Sequence, residues 1–373
     1  MENQRPLNQF HYDFIDVARA LAAFIVVVSH TQQLLIDRPL TPGALHKALS
    51  MVTTQGHNAV VVFFVISGFW IVRSVVRSGD RFSFKDYLLA RTTRLWIVLL
   101  PALLIGAGLD MTGITFFGSP LYEGTQGSVA LGYDASGRLT LPIFFGNLFF
   151  LQDIVVPPLG TNGALWTLAC EFWYYIYFPL AYLAVRSRRW WLIAAAAAAL
   201  IFIPSPHLFI CWLMGGAVYA AAEKVWAGYR VHWIFPAAAL VAFAGLNALS
   251  KLLALRPEIN DLLLAGSFSV FLTVGMRSAF GCARGLSALA SFGSRSSYSL
   301  YAIHLPIVVF VCNFFAPDRR LAASAWSWTL VLLIPLIAVA AAKPFSRATE
   351  DQTSRLRNAL SRRLFKQSQV AKI

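Results

Sequence analysis

FIDVARALAAFIVVVSH, residues 14–30, is an apolar run that continues as TQQLLI to Ile36, and its reading decides what kind of chain this is. From Phe14 to Ile36 it covers about 34 Å as a helix, enough to cross a hydrocarbon core of ~30 Å. It is too long for the apolar part of a cleaved leader and carries Asp16 and Arg19 inside it, so it reads as a retained first span. Further apolar runs follow near 57–77, 94–112, 164–185, 190–204, 207–222, 232–249, 260–276, 297–316 and 323–343. The expectation is an all-α integral membrane protein of about ten transmembrane helices. The stretch LPIFFGNLFFL, 141–151, is too short to cross and belongs in the outer interface or in a re-entrant dip.

Composition agrees with this. Of 373 residues, 58% are hydrophobic and 13% charged, against roughly 25% charged in soluble domains, and the mean hydropathy is +0.62. The formal charge of +14 is scattered between apolar runs, with no zinc-finger spacing, RNP-like strand or long basic arm, which argues against nucleic acid as a partner. With the N-terminus inside, 23 Lys and Arg fall in inner segments and 7 in outer ones, Arg19 lying within a span. By the positive-inside rule this places both termini in the cytoplasm, after an even number of crossings.

Cys170, Cys211, Cys282 and Cys312 lie in or beside apolar runs without metal-ligand spacing, and no metal site is expected. Residues 1–343 form one multi-span domain, followed by a basic tail, 344–373. In TSRLRNALSRRLFK, Leu356, Leu360 and Leu364 share one face, as in a helix lying on an anionic leaflet; a disordered basic tail is the alternative.

Ionisable groups inside spans are costly and therefore functional candidates. His30 lies eleven residues beyond Arg19, about 16 Å along a helix, and so past the midplane toward the outside. Glu171 enters a later span at a compatible depth. A carboxylate beside His30 would fix its tautomer and raise its basicity, making it a general base for a hydroxyl. A structural polar pair or a proton pathway would use the same residues. Arg19 and Asp16, one turn apart, form either a simple ion pair or a mouth for an anionic ligand. In the inner loop RSVVRSGDRFSFKDYLLARTTR, Arg91 and Arg94 are the candidates for phosphate contact. Ser67 and Gly68 read first as small residues for close packing. His304, with Tyr298 and Tyr301 on nearby turns, reads first as a structural histidine.

These pieces resemble the membrane acyltransferase-3 family, along nearly the whole chain from Phe14 to Pro344. FIDVARALAAFIVVVSH is similar to its D-x-x-R-x-x-A opening with Arg-x10-His spacing, and VVVFFVISGFWI to its F-F-x-x-S-G-F segment. YLLARTTRLWIVLLP resembles its R-x-x-R-L-x-P element with one extra residue, including Trp96, before Pro101. NLFFLQD, ALWTLACEFWYYIYFPL and SYSLYAIHLP resemble its later elements, with Thr167 and Tyr175 as substitutions expected to be neutral.

The resemblance implies an acyltransferase of the bacterial inner membrane, with His30 and Glu171 catalytic. It implies contacts to CoA or substrate from Arg19, Asp16, Ser67, Arg91, Arg94, Tyr298 and His304. Its donor would be acetyl-CoA or another acyl-CoA, with no permanently bound cofactor. Its acceptor would be a glycan or lipid-linked sugar, amid membrane lipids. No fused SGNH domain is expected after the last span. Glu171 would orient His30, which deprotonates the acceptor or first takes the acyl group itself. A proton-coupled transporter or flippase, and a non-catalytic scaffold, are the rival classes.

Overall fold

The computed structural model describes residues 9–37, 43–200, 203–278 and 286–370; Cys282 and Arg284 fall outside them. The helices in chain order are α1 (Gln9–Leu35), α2 (Ala44–Thr53), α3 (Gly56–Ser78), α4 (Phe84–Phe117), α5 (Leu141–Leu148), α6 (Trp166–Ser187) and α7 (Trp190–Leu200). There follow α8 (Pro206–Ala220), α9 (Ile234–Leu252), α10 (Pro257–Arg277), α11 (Leu286–Arg295), α12 (Ser297–Phe315), α13 (Ala325–Ala348) and the tail helix α14 (Thr353–Val370). Among the described residues, extended pairing is confined to isolated bridges such as Ile36 with Leu321. Among the described residues, nine helical stretches are long and apolar enough to cross a membrane.

Segment 190–204, expected as a full span, differs from the other nine. Its helix α7 has 11 residues, about 16 Å at 1.5 Å per residue and half of a ~30 Å core. The run is apolar but Ala-rich, and Pro204 and Pro206 follow it. The chain nevertheless has to return through this segment. The end of α6 is tied to the far end of α3, since Arg186 pairs with Asp80. The start of α8 is tied to the near end of α3, because His207 and His57 both reach Asp261, at 3.4 and 2.8 Å. Leu192 and Ala196 of α7 pack with Ala184 and, on the same helix α6, with Ala181 and Tyr177.

The helices divide into two compact units. The first comprises Met1–Ala22, His57–Phe82 and Cys170–Ser294; the second comprises Ala23–Gly56, Ser83–Ala169 and Arg295–Ile373.

In the first unit, α3 and α8 touch backbone to backbone. A Cβ on Gly68 would stand 1.8 Å from the Trp212 carbonyl oxygen, and one on Gly215 would stand 1.9 Å from that of Val65. Small residues permit such approaches where no hydrophobic effect drives helices together. Gly68→Ala is therefore expected to cost about 1–3 kcal/mol, seen as a lower thermal midpoint in detergent. Gly245→Ala, in α9 where a Cβ would meet nothing within 4 Å, should leave the midpoint unchanged or raise it slightly. Equal midpoints for the two variants would refute the close crossing.

In the second unit, α4 and α12 cross where Gly106 faces Pro306, 3.2 Å from the position of a Cβ. The connection after α4 is latched over the ends of α1 and α12. Ser128 donates to the Gln33 carbonyl (3.0 Å), Gln126 donates to that of Ala316 (2.8 Å), and Ser119 donates to Asn313. Asp110, buried on α4, accepts from the Thr161 amide and hydroxyl at 2.8 and 2.7 Å. This anchors the stretch that leads into α6.

Candidate active site

The first unit holds two of the expected groups. Arg19 donates from Nη2 to Asp16 at 2.7 Å and from Nε to the Gly293 carbonyl at 2.8 Å. Gly293 is needed there, since a Cβ would stand 1.9 Å from the Asp16 carbonyl oxygen. Arg19 and Asp16 thus form an ion pair that also ties α1 to α11.

Glu171 is the hub of a second cluster. Its Oε1 accepts from the Ser67 hydroxyl at 2.6 Å and from the Tyr175 hydroxyl. The Trp212 indole donates to Ser67 Oγ at 3.2 Å. Tyr175 lies one helical turn beyond Glu171, on the same face. Trp212 arrives because the Gly68 and Gly215 crossing brings α8 onto α3. Two hydroxyls thus hold the carboxylate by one oxygen, Oε1.

The second unit holds His30 and His304. Their rings lie 5.3 Å apart between centroids, tilted by 32°. His304 Nδ1 is 2.7 Å from the Tyr301 carbonyl oxygen. A carbonyl only accepts, so the proton is on Nδ1 and Nε2 carries the lone pair. His304 Nε2 and His30 Nδ1 are buried without a hydrogen-bond partner. The Tyr301 hydroxyl accepts from Thr167 at 2.8 Å and donates to the Ala164 carbonyl at 3.0 Å. Thr167 and Tyr175, the two departures from the family pattern, therefore both make hydrogen bonds in these clusters.

At the first turn of α12, Arg94 lies 3.6 Å from Glu350, which also accepts from Ser299 at 3.1 Å. Tyr298 donates to the Leu95 carbonyl at 3.2 Å, and Arg91 lies 5.6 Å from the Tyr87 ring centre. This level is six residues, about 9 Å of helix, from His304 along α12.

The structure thus brings together His30 with His304, Glu171 with Ser67, and Arg19 with Asp16. His30 and Glu171 belong to different units. Sequence reading missed Tyr175, Trp212 and Glu350, and also two polar residues near His304. Pro306 has no N–H, so it frees the carbonyl of Ala302 one turn earlier, and Asn162 Nδ2 donates to that oxygen at 3.0 Å. Gln152 donates to the Leu165 carbonyl at 2.8 Å. The signal for Asn162 was the proline inside SYSLYAIHLP; Trp212 had none. Among the described residues, no group of three or more His, Cys, Asp or Glu is placed to hold a metal ion.

Spans carrying ionisable groups at these places define a multi-pass membrane protein with buried acid–base residues. The chain belongs to the acyltransferase-3 family, whose model, described as an acyltransferase domain, matches residues 12–343. It is 30% identical over 166 residues to an O-acetyl transferase of Shigella phage Sf6, covering 43% of each chain. It is 31% identical over 192 residues to acyltransferase MdmB of Streptomyces mycarofaciens, covering 50% of this chain and 43% of that one. It is 28% identical over 190 residues to nodulation protein 10 of Rhizobium leguminosarum bv. viciae, covering 48% of this chain and 46% of that one. The matched stretches span less than half the length of these relatives. No solved structure matches the chain.

Proposed function

We propose that this protein moves an acyl group, acetyl first among the candidates, from acyl-CoA to a hydroxyl of a glycan or its lipid-linked precursor at the bacterial inner membrane. The observation that carries this reading is the His30–His304 pair. An imidazole with an unpaired buried nitrogen can take a proton, and its neighbour's tautomer is fixed by the Tyr301 carbonyl. The phage relative's name supports acetyl. Arg91 and Arg94, near the start of α12, suit the phosphates of a donor that enters there.

In the proposed step, His30 accepts the proton of the acceptor hydroxyl as its oxygen attacks the thioester carbonyl. A C–O bond forms, the C–S bond breaks, and the leaving thiolate takes the proton from His30. An acyl-His30 intermediate would give ping-pong kinetics, and direct transfer a ternary-complex pattern. Glu171 is assigned to the same reaction on the geometry of its own unit, where Ser67 and Tyr175 hold its carboxylate.

Membranes containing the protein, supplied with labelled acetyl-CoA, should place label on glycan and release CoA. Glu171→Gln, at equal expression, should lower both. Glycan crossing the membrane with no CoA released from any acyl-CoA would instead identify a flippase.

A further inference from the structure

Three fully buried side chains of the second unit each present an acceptor atom that has no donor. Gln152, Asn162 and His304 are 0%, 2% and 0% exposed. Each uses its N–H on a backbone carbonyl: Leu165 for Gln152, Ala302 for Asn162 and Tyr301 for His304. Because a carbonyl can only accept, these bonds fix both amide orientations and the imidazole tautomer. What remains is Gln152 Oε1, Asn162 Oδ1 and His304 Nε2, all buried and without a hydrogen-bond partner. Native interiors leave few such atoms, and each asks for an explanation.

The three belong to one connected piece of structure. Asn162 and Leu165 are three residues apart, and the Ala164 carbonyl between them accepts from Tyr301. Asn162 binds Ala302, two residues before His304. His30 lies against the His304 ring at 5.3 Å between centroids and has a buried, unpaired Nδ1 of its own.

The set has a single polarity, because the three fixed atoms are all acceptors. Phosphates and a thioester carbonyl are acceptors too, and an acyl chain is apolar; of acyl-CoA only the amides and hydroxyl of the pantetheine arm could donate here, and a raised acetyl-CoA KM in the variants below would mark that occupant and overturn the proposal. The hydroxyls of a sugar donate. We propose that Gln152, Asn162 and His304 bind hydroxyl groups of the polyhydroxylated acceptor and hold it beside His30. This rests on the reading of the protein as an acyltransferase acting on a sugar.

The test uses the purified full chain, labelled acetyl-CoA and a panel of methyl glycosides as acceptors. Gln152→Met and Asn162→Leu should each raise the glycoside KM by about fivefold or more, with the acetyl-CoA KM little changed. A second measurement needs no variant: on the wild-type protein, O-methylation of at least one glycoside hydroxyl and, without the added bulk, its replacement by fluorine should each raise KM about tenfold, because the donated proton is gone.

Unchanged glycoside KM in both apolar variants, or indifference to every O-methyl substitution, would overturn the proposal and leave ordered water as the occupant. Transfer of label to no glycoside by the wild type would end the sugar reading itself, and this inference with it.

Discussion

His30→Gln is expected to reduce acyl transfer by about 10²–10⁴-fold, the usual worth of a positioned general base. Yield and melting behaviour should stay near wild type. The asymmetry has a structural cause. His30 Nδ1 makes no hydrogen bond, so glutamine strands no partner there, while the ring that takes up the proton is gone. His304→Gln would behave differently, since the Nδ1 bond to the Tyr301 carbonyl inside α12 is lost with the ring. Initial rates with labelled acetyl-CoA, read beside thermal midpoints, separate the two. Transfer by His30→Gln within about tenfold of wild type would remove His30 as the base.

The second large effect is on stability. Arg19→Ala leaves the Asp16 carboxylate, 9% exposed, without its guanidinium, and also empties the bond to the Gly293 carbonyl. Removing one partner of a buried pair costs about 3–5 kcal/mol because the other charge stays behind. The variant should show low yield and a much lower midpoint in detergent. Asp16→Asn in the same chain should recover part of the loss, since the stranded charge is then gone. Full stability with an increased KM for acetyl-CoA would show instead that Arg19 serves the ligand. The sequence left both readings open; spacing puts Asp16 and Arg19 one turn apart, and only the Gly293 contact shows how far the pair is built into the packing.

The helical membrane fold was legible because a bilayer demands long apolar runs, and most of those runs are helices. Segment 190–204 was harder: alanine is apolar enough to suggest a full span, yet the described helix, Trp190–Leu200, is short and prolines follow at 204 and 206. His30 and Glu171 could be picked out because ionisable groups stand out in spans. Their neighbours could not. Depth along a helix can be counted from sequence, but the face opposite is set by packing. Ser67 read as a small packing residue, whereas its hydroxyl donates to Glu171. His304 read as a lone histidine, whereas its ring lies against that of His30. Trp212 joins the Glu171 cluster only through a glycine crossing whose partners lie far apart in the chain.

That crossing also limits how the first unit can move. At most helix interfaces, rotamer changes let one helix slide or roll on its neighbour. Between α3 and α8 there is no side chain to yield at Gly68 or Gly215, only carbonyl groups where a Cβ would stand. These two helices must therefore travel as one rigid piece, carrying Ser67 and Trp212 together. Breathing within the first unit therefore falls outside this pair and outside the π-helical turn Ala221–Val225 after α8, where Arg277 donates to the Ala222 carbonyl and Arg73 pairs with Glu223.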